Sequence, residues 1–379
     1  MKKKIYIDSA LLILLGMLTS LSLAPFNYFI INFFTFSIFY IFLVKQLSKH
    51  KNLILFFSYG WFFGFGYFLS NLYWISISLT FDSNFKFLIP FSIILIPAFL
   101  ALFYGVISYL FALIKLKKII ISFLMFSLIF GFLEFVRGSI FTGFPWNLIV
   151  YSLSNQLEFI SISSIIGTYG LNLFCISLFT CPALIFLKNS MKNKGVLLIF
   201  VIISFLFYIY GFTYEKQFNN AVKESLEYKV RAVGSNIGLD RYYKNVDTYS
   251  VINDLLELSN PVQDEKTIFV WPEAILPDIF QDELIQFKNV FKKKLNKNHL
   301  LILGNKSKLS IDGSEKFFNS FSLYDNELNI LNSYNKINLV PFGEFLPFES
   351  FLGNFGLSSL TNNYQSFSKG EKRNILEIK

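Results

Sequence analysis

A glutamate that follows a short apolar run is the first residue in this sequence that could do chemistry. Residues 267–271 are β-branched and aromatic, which predicts a short buried strand that ends at Pro272. Glu273 comes next, at the tip of that strand and beside apolar residues. A carboxylate in such a position could accept a proton as a general base. The alternative is a solvated turn glutamate, and this stretch alone leaves both open.

A second stretch, residues 334–347, carries a lysine and another glutamate in a similar arrangement. Lys336 closes a predicted strand, and a turn at residues 341–343 brings Glu344 into an apolar setting. A buried lysine beside a carboxylate can stay protonated and stabilise a developing oxyanion. The alternative is a surface lysine, as most lysines are. We predict that Lys336 and Glu344 meet Glu273 in one pocket at the ends of strands.

A charged pair lies at the end of a predicted membrane-spanning segment. Glu134 and Arg137 are three residues apart and therefore share one face of a helix. Charged side chains in that position are unfavourable unless they pair or face water. They could fix the end of the helix, or they could form a polar site for a lipid headgroup. The aromatic, non-helical segment 143–146 follows, and its Trp146 is a further candidate for substrate binding.

The elements that would position Glu273 and Lys336 are strands and helices in alternation. The predicted strands cover residues 228–237, 267–271, 300–304, 317–324 and 330–334. The predicted helices cover residues 245–258 and 279–295. This alternation is typical of an α/β layered domain, which we place at residues 215–379.

The first 214 residues are far more apolar than the remainder. The chain of 379 residues is 54% hydrophobic with a mean hydropathy of +0.50, too apolar for an ordinary soluble domain. Most of its apolar spans reach the ~20 residues that cross a bilayer. The predicted spans cover residues 5–24, 28–44, 53–79, 86–114, 118–136, 159–187 and 195–213. Residues 1–214 are therefore predicted to form a polytopic helical membrane domain with about seven transmembrane helices.

The lysines of this membrane domain lie in alternate loops. They cluster at residues 2–4, 45–51, 115–118 and 188–194, whereas Lys86 and Arg137 lie on the other side. The positive-inside rule then predicts a cytoplasmic amino terminus and, after seven crossings, a periplasmic domain. Because the net charge of +9 arises from this pattern, it does not indicate nucleic-acid binding.

The cysteines and histidines do not form a reactive group by spacing. Cys175 and Cys181 both lie in the sixth predicted span, where neither a disulfide framework nor a metal site is expected. Residues 215–379 contain no cysteine. His50 and His299 offer no pair for metal or catalytic chemistry. We expect no cofactor and no metal.

The two motifs together resemble the nitrilase, or carbon–nitrogen hydrolase, superfamily. They are Trp-Pro-Glu at 271–273 and Tyr-Asn-Lys-x-x-Leu-Val-Pro-Phe-Gly-Glu-x-x-Pro at 334–347. With the preceding spans, the chain resembles the apolipoprotein N-acyltransferase family of bacterial inner membranes. The membrane half resembles that family at residues 24–26, 60–66, 73–74, 134–138 and 143–146.

The resemblance implies an αββα domain with a Glu–Lys–Cys triad. Glu273 would be the general base, Lys336 would stabilise the oxyanion, and Glu344 would support the site. A cysteine would take an acyl chain from a phospholipid and pass it to the amino-terminal diacylglyceryl-cysteine of an apolipoprotein. The partners would be these two substrates and the lipid bilayer. Candidates for substrate binding are Trp146, Glu134, Arg137 and Tyr243.

Two departures from the family pattern bear on activity. The family's Asn-Ile-Pro-Gln segment reads Asn-Ile-Gly-Leu at residues 236–239, and the tyrosines 242–243 follow. The family's nucleophilic cysteine follows a later strand, and this sequence ends at Lys379 as that strand region begins. We therefore expect a nitrilase-like domain that lacks its carboxy-terminal part, from a truncated or split gene product or an incompletely assigned gene. The activity of this chain alone is open.

Other functions stay open at this point. A membrane-anchored amidase of the same superfamily would keep Glu273 and Lys336 and hydrolyse an amide. A non-catalytic lipid-binding or scaffold protein would account for the missing cysteine. A transporter is disfavoured, because the spans show no obvious internal repeat and few charges.

Overall fold

The computed structural model describes residues 2–80, 83–140, 143–222, 226–236, 247–276, 279–311, 314–341, 343–346, 348 and 366–372. The chain divides into two compact units, Met1–Val222 and Lys223–Lys379. The predicted boundary after residue 214 falls inside the last helix of the first unit, which continues to Asn220.

The first unit is helical, as its apolar spans predict. Its α-helices are α1 (Lys2–Ser20), α2 (Ile31–Leu47), α3 (Leu53–Leu72), α4 (Ile89–Ile114), α5 (Ile119–Ser139), α6 (Leu157–Ile160), α7 (Ser163–Thr180), α8 (Ala183–Leu187) and α9 (Met191–Asn220). Short 3₁₀ segments lie at Tyr73–Thr80, Ser83–Leu88 and Ile149–Leu153.

The seven predicted apolar spans correspond to helices of different lengths. Among the described residues, five segments are long and apolar enough to cross a membrane. They are Leu53–Thr80, Phe85–Ile114, Ile119–Ser139, Ser163–Leu187 and Met191–Asn220. The first two predicted spans form shorter apolar helices, Ile5–Ser20 and Ile31–Leu47, because tight turns at residues 21–30 interrupt the apolar run between them. The polytopic helical fold is confirmed. α1 ends at Ser20, before the predicted end of the first span, and α2 begins at Ile31, after the predicted start of the second.

Small residues let α3 pack closely on its neighbours, as the glycines at 60, 64 and 66 predict. A Cβ on Gly60 would overlap the backbone oxygen of Tyr104 on α4, and a Cβ on Gly66 would overlap that of Ile13 on α1. Phenylalanine rings fill the space between the helices, and Phe39 stacks on Phe63 with ring centroids 4.2 Å apart. Close backbone approach and dense ring packing are what hold helices together where lipid removes the hydrophobic driving force.

The second unit is built on a mixed sheet, which confirms the α/β interpretation. Its strands are β1 (Lys229–Ala232), β2 (Thr267–Glu273), β3 (His299–Ile311), β4 (Ser314–Tyr324) and β5 (Ile330–Asn335), in the order β1-β2-β3-β4-β5. β1, β2 and β3 are parallel, and β3, β4 and β5 are antiparallel. The helices α10 (Thr248–Ser259) and α11 (Lys288–Lys292) cross between the parallel strands and pack on the sheet, as parallel pairing requires.

Two predicted elements of this unit differ in the structure. β2 does not stop at Pro272, because a register shift between Val270 and Glu273 accommodates the missing N–H and Glu273 pairs with Gly304. The helix predicted at 279–295 is reduced to a 3₁₀ turn and the short α11. Residues 280–281 are instead bound to β3, where the Gln281 N–H donates to the Lys306 oxygen over 2.8 Å.

Candidate active site

Glu273 occupies the last position of β2, where the chain turns sharply. A Cβ placed on Gly304 would lie 3.0 Å from the Glu273 Cα, so a glycine allows this close approach of β3 to β2. Ala274 follows with φ +52°, a left-handed conformation that turns the chain away from the direction of the strand. The Ala274 N–H donates to the Gly304 oxygen over 2.9 Å and closes the turn. Glu273 is therefore held at the end of the strand by backbone geometry.

Lys336 directly follows β5, as its predicted strand end requires. Its N–H donates to the Asn319 oxygen on β4 over 2.8 Å, and its own oxygen accepts from the Gly370 N–H over 2.9 Å. Glu344 lies on a turn in which its N–H donates to the Val340 oxygen over 2.8 Å. The Val340 N–H donates in return to Glu344 Oε2 over 2.7 Å, which orients the carboxylate.

The structure brings the three predicted residues together. Lys336 Nζ lies 3.0 Å from Glu344 Oε1 and 3.2 Å from Glu273 Oε1. The lysine therefore bridges two carboxylates that come from different strands and turns. Because β2 and β5 are separated by β3 and β4, this meeting depends on the register of the whole sheet.

Asn319 is a member of this cluster that sequence reasoning missed. Its Nδ2 donates to Glu273 Oε1 and to Glu344 Oε1, each over 2.6 Å. An amide nitrogen has two hydrogens, so one side chain can satisfy both carboxylates. The only signal in the sequence is a polar residue inside the aromatic run of β4, between Phe318 and Phe321. We refer to Glu273, Asn319, Lys336 and Glu344 as the carboxylate–lysine cluster.

The charges of the cluster favour a protonated lysine. Burial lowers the pKa of Lys336, but hydrogen bonds and attraction from Glu344, and then Glu273, outweigh it and raise the pKa above its ordinary value of 10.5. The side chain of Glu344 is only 12% exposed, that of Lys336 is 30% exposed, and that of Glu273 is 61% exposed. Glu273 is therefore more exposed to solvent than its apolar neighbours in the sequence suggest. Its turn lifts it out of the apolar core, and Glu344 is the more buried carboxylate.

This geometry suits chemistry at an acyl carbon. Among the described residues, the hydrogen bonds to Glu273 converge on Oε1, and none of them involves Oε2. Lys336 supplies a fixed positive charge beside that carboxylate, where an oxyanion could be stabilised. Asn319 and Glu344 hold the other two groups in place.

Glu134 and Arg137 form a fully buried pair in the helical unit. Arg137 Nη2 and Nε donate to the two Glu134 oxygens over 2.7 and 3.1 Å, and neither side chain is exposed. Arg137 Nη1 also donates to the backbone oxygens of Phe144 and Trp146 over 2.8 and 2.9 Å. The geometry favours the first of the two predicted roles, a pair that fixes the end of α5. Substrate binding by either residue stays a prediction.

Trp146 presents an aromatic surface beside that pair. Its side chain is 51% exposed, and it stacks on Trp74 with centroids 5.2 Å apart and an interplanar angle of 20°. This exposure is compatible with its predicted contact with substrate. Tyr243, the remaining candidate, lies outside the described residues.

The two cysteines do not belong to the unit that carries the cluster. Cys175 lies on α7 and Cys181 at its end, and both are free and fully buried in the first compact unit. Among the described residues, no group of His, Cys, Asp and Glu is arranged to hold a metal ion.

Fold and site together define a class, a polytopic membrane protein with an α/β domain that carries a Glu–Lys–Glu cluster at its strand ends. The apolipoprotein N-acyltransferase N-terminal domain model matches residues 15–181. Curated relatives of that name include a Brucella melitensis biotype 1 protein, 29% identical over 96% of this chain and 70% of its own length.

Two relatives from Rickettsia species are slightly more similar. The Rickettsia prowazekii protein is 31% identical over 97% of this chain and 71% of its own length. The Rickettsia typhi protein is 32% identical over 89% of this chain and 66% of its own length. Both are named apolipoprotein N-acyltransferase. The chain belongs to the apolipoprotein N-acyltransferase family, which confirms the resemblance inferred from its motifs and makes it a membrane protein of the acyltransferase class.

Proposed function

We propose that this protein serves in the phospholipid-dependent N-acylation of the amino-terminal diacylglyceryl-cysteine of apolipoproteins. Membership of the apolipoprotein N-acyltransferase family supports this function. The observation that carries it is the position of Lys336 Nζ between Glu273 Oε1 and Glu344 Oε1, at 3.2 and 3.0 Å. The membrane-spanning helices are suited to a reaction whose acyl donor is a bilayer lipid.

In this proposal each member of the cluster has a separate role. Glu273 accepts the proton of the nucleophile and later of the acceptor amine. Lys336 stabilises the negative oxygen of each tetrahedral intermediate. Glu344 and Asn319 are positioning residues, because they bind Lys336 and Glu273.

The reaction proceeds through an acyl-enzyme. A cysteine thiolate, formed as Glu273 takes the thiol proton, attacks the ester carbonyl of the phospholipid. Glu273 returns that proton to the oxygen of the departing lysophospholipid, and a thioester remains. The acceptor amine then attacks the thioester, the amide forms, and the thiolate is released. Cys175 and Cys181 are fully buried on and beside α7, so we do not assign this role to either. Residues 215–379 contain no cysteine, so we assign the thiol to no residue of this sequence.

The test is rescue of a bacterium depleted of its own apolipoprotein N-acyltransferase. The chain is expressed together with any coding sequence that continues it, as wild type, as Glu273→Gln and as Lys336→Ala. A matched control, Lys316→Ala, removes a lysine of β4 outside the cluster. We expect rescue by wild type and control and none by the two cluster variants. Rescue that is unaffected by Glu273→Gln and Lys336→Ala would overturn the proposal.

A non-catalytic lipid-binding protein is the second candidate, and the burial of both cysteines favours it. It predicts lipid binding without lipoprotein acylation in the same cells. Mass spectrometry of a marker lipoprotein separates the two, because acylation adds one fatty acyl chain to its amino terminus. Hydrolysis of a short amide without acyl transfer would instead favour an amidase.

A further inference from the structure

A cavity of about 390 Å³ lies within the helical unit, away from the residues assigned to acyl transfer. Its lining comes from the carboxy-terminal ends of α2 and α4, the amino-terminal ends of α3 and α5, and the two loops that join them. It shares no residue with the carboxylate–lysine cluster, and all its lining residues lie in the first compact unit. The cavity is therefore a candidate for a separate binding site.

The polar part of the lining is basic. Its ionisable side chains are His50 and Lys51 from the first loop and Lys115 and Lys117 from the second, and the described lining residues include no carboxylate. The cap residue of α5, Lys118, makes no side-chain capping hydrogen bond. The first turn of α5 therefore adds the partial positive charge of a helix amino terminus. A ligand that binds beside these basic side chains must therefore be an anion.

The remaining lining is apolar. Phe56 and Ala112 are buried in it, and Leu47 and Leu53 complete one side. The Tyr40 hydroxyl donates to Ser122 Oγ over 3.1 Å, so these two polar groups satisfy one another. A purely ionic ligand such as free phosphate would leave this surface without a partner. The ligand must therefore carry hydrocarbon next to its negative charge.

Exposed apolar residues also lie near the ends of helices that line the cavity. Ile54 at the start of α3 and Ile121 at the start of α5 are both exposed. A volume of about 390 Å³ suits a phosphate, its glycerol and the first carbons of the chains, and these exposed side chains suit the rest. Basic pockets between membrane helices at a lysine-rich end are the kind of site that holds anionic lipid headgroups.

We propose that this cavity binds the phosphate and glycerol of an anionic glycerophospholipid, such as phosphatidylglycerol or cardiolipin, from the leaflet that meets the lysine-rich loops. The bound lipid links the α2–α3 and α4–α5 loops through its negative charge. It is retained as a bound molecule and is not the acyl donor. The proposal does not depend on acyl transfer, so its test measures lipid binding alone.

The test is native mass spectrometry of the purified 379-residue chain in detergent. Phosphatidylglycerol, cardiolipin or phosphatidylcholine is added at equal concentration. We expect the anionic lipids to be retained at least about tenfold better than phosphatidylcholine. The variant Lys51→Gln/Lys115→Gln/Lys117→Gln removes three charges from the rim, and we expect it to weaken anionic-lipid binding by about tenfold or more.

The matched control is Lys188→Gln/Lys192→Gln/Lys194→Gln. It removes three lysines from the α8–α9 connection and the start of α9, outside the cavity, and we expect lipid binding close to wild type. An equal loss of anionic-lipid binding in the two triple variants would show that lysines attract the lipid without a specific site, and would overturn the proposal. Equal retention of phosphatidylcholine would overturn it as well.

A second variant tests the cavity itself without changing charge. Val44→Phe replaces a partly exposed lining side chain with a larger, aromatic one. We expect it to reduce anionic-lipid retention while size-exclusion profile and thermal unfolding stay near wild type. Unchanged retention in Val44→Phe would contradict the proposal even if the triple variant failed to fold. Displacement of the lipid by an equal concentration of glycerol phosphate would also contradict it, since the apolar lining would then contribute nothing.

Discussion

Lys336 is held as a cation by the two carboxylates that it contacts. Burial by itself would lower its pKa, but Glu344 and Glu273 raise the pKa above the ordinary 10.5. A raised lysine pKa stabilises the fold fully below that ordinary value, and the stabilisation is lost as the pH rises through the higher folded pKa. Lys336 is therefore charged at neutral pH, which fits electrostatic stabilisation of an oxyanion.

The charge state of Lys336 can be measured by its reactivity. Only the free amine reacts with acetic anhydride, so a raised pKa slows labelling at a given pH. We predict that Glu344→Gln, which removes the largest favourable contribution, speeds labelling of Lys336 at pH 9. Quantitative peptide mass spectrometry over short labelling times gives the rate.

The control for this measurement is Glu327→Gln. Glu327 contacts Lys288 and Lys292 in the same unit and does not belong to the cluster. It should leave the labelling rate of Lys336 unchanged. A Lys336 rate that does not respond to Glu344→Gln would show that the contact in the structure does not control the charge.

Asn319 is predicted to position the two carboxylates. Asn319→Leu keeps a side chain of similar size but removes both N–H donors from Glu273 Oε1 and Glu344 Oε1. Misplaced catalytic groups slow the chemical step. In a form of the protein that transfers acyl chains, we therefore expect kcat to fall about tenfold to a hundredfold, with KM little changed. Steady-state kinetics with a lipopeptide acceptor measures both.

A neighbouring asparagine gives the comparison. Asn332 lies on β5 of the same sheet and outside the cluster, so Asn332→Leu should keep kcat near wild type. A loss that falls on KM alone in Asn319→Leu, or equal losses in the two variants, would argue against the positioning role.

At the scale of elements, the buried pair at the end of α5 is predicted to be structural. Arg137 binds both Glu134 oxygens and two backbone oxygens of the segment that follows the helix. Arg137→Met leaves Glu134 as an unpaired buried charge, which typically costs about 3–5 kcal/mol. We expect a large fall in thermal stability in detergent.

The double variant separates structure from substrate binding. Glu134→Leu/Arg137→Met removes both charges, so it should recover part of the stability lost in Arg137→Met. If Arg137 instead binds a lipid headgroup, Arg137→Met would weaken phospholipid binding without changing the unfolding temperature. That result would reverse our interpretation of the pair.

At the scale of the whole molecule, the lysine pattern predicts the orientation in the membrane. Reporter fusions after Lys118 should be active in the cytoplasm, and fusions after Val222 should be active in the periplasm. The fused positions follow α4 and α9, so each reports the side reached after a complete helix. The reverse pattern would place the carboxylate–lysine cluster on the side opposite to that of our proposal.

The distribution of cysteines predicts the behaviour of the polypeptide 1–379. An acyl-enzyme needs a nucleophile as well as a base and an oxyanion stabiliser, and these groups act as a unit. We predict that the purified 379-residue chain forms no thioester with a labelled phospholipid and does not rescue a depleted cell. If a longer form of the chain supplies a reactive thiol, that form should do both. Robust thioester formation by residues 1–379 would mean that Cys175 or Cys181 reacts despite its burial, and would contradict this prediction.

The sequence alone determined the kind of protein and its division into two chemical halves. Apolar spans, alternate lysines and the two motifs are local patterns that can be seen without knowing what they contact. They predicted the helical unit, the strands β1 to β5 and the residues Glu273, Lys336 and Glu344. They misplaced the facing ends of the first two helices and predicted a continuous helix at 279–295, because tight turns and a bridge to β3 override local preference.

Only the tertiary structure decided how these residues are used. Glu273 ends β2 and Lys336 follows β5, and these two strands do not touch, so the meeting of the two residues depends on the register of β2 through β5. That register also brings in Asn319, which no motif marks, and leaves Glu273 more exposed than Glu344. The hydrogen bonds of the buried Arg137 to the backbone of segment 143–146 depend on how that segment folds back onto α5. The contacts among Glu273, Asn319 and Lys336 join residues that are distant along the chain, and local sequence patterns do not determine the register that brings them together.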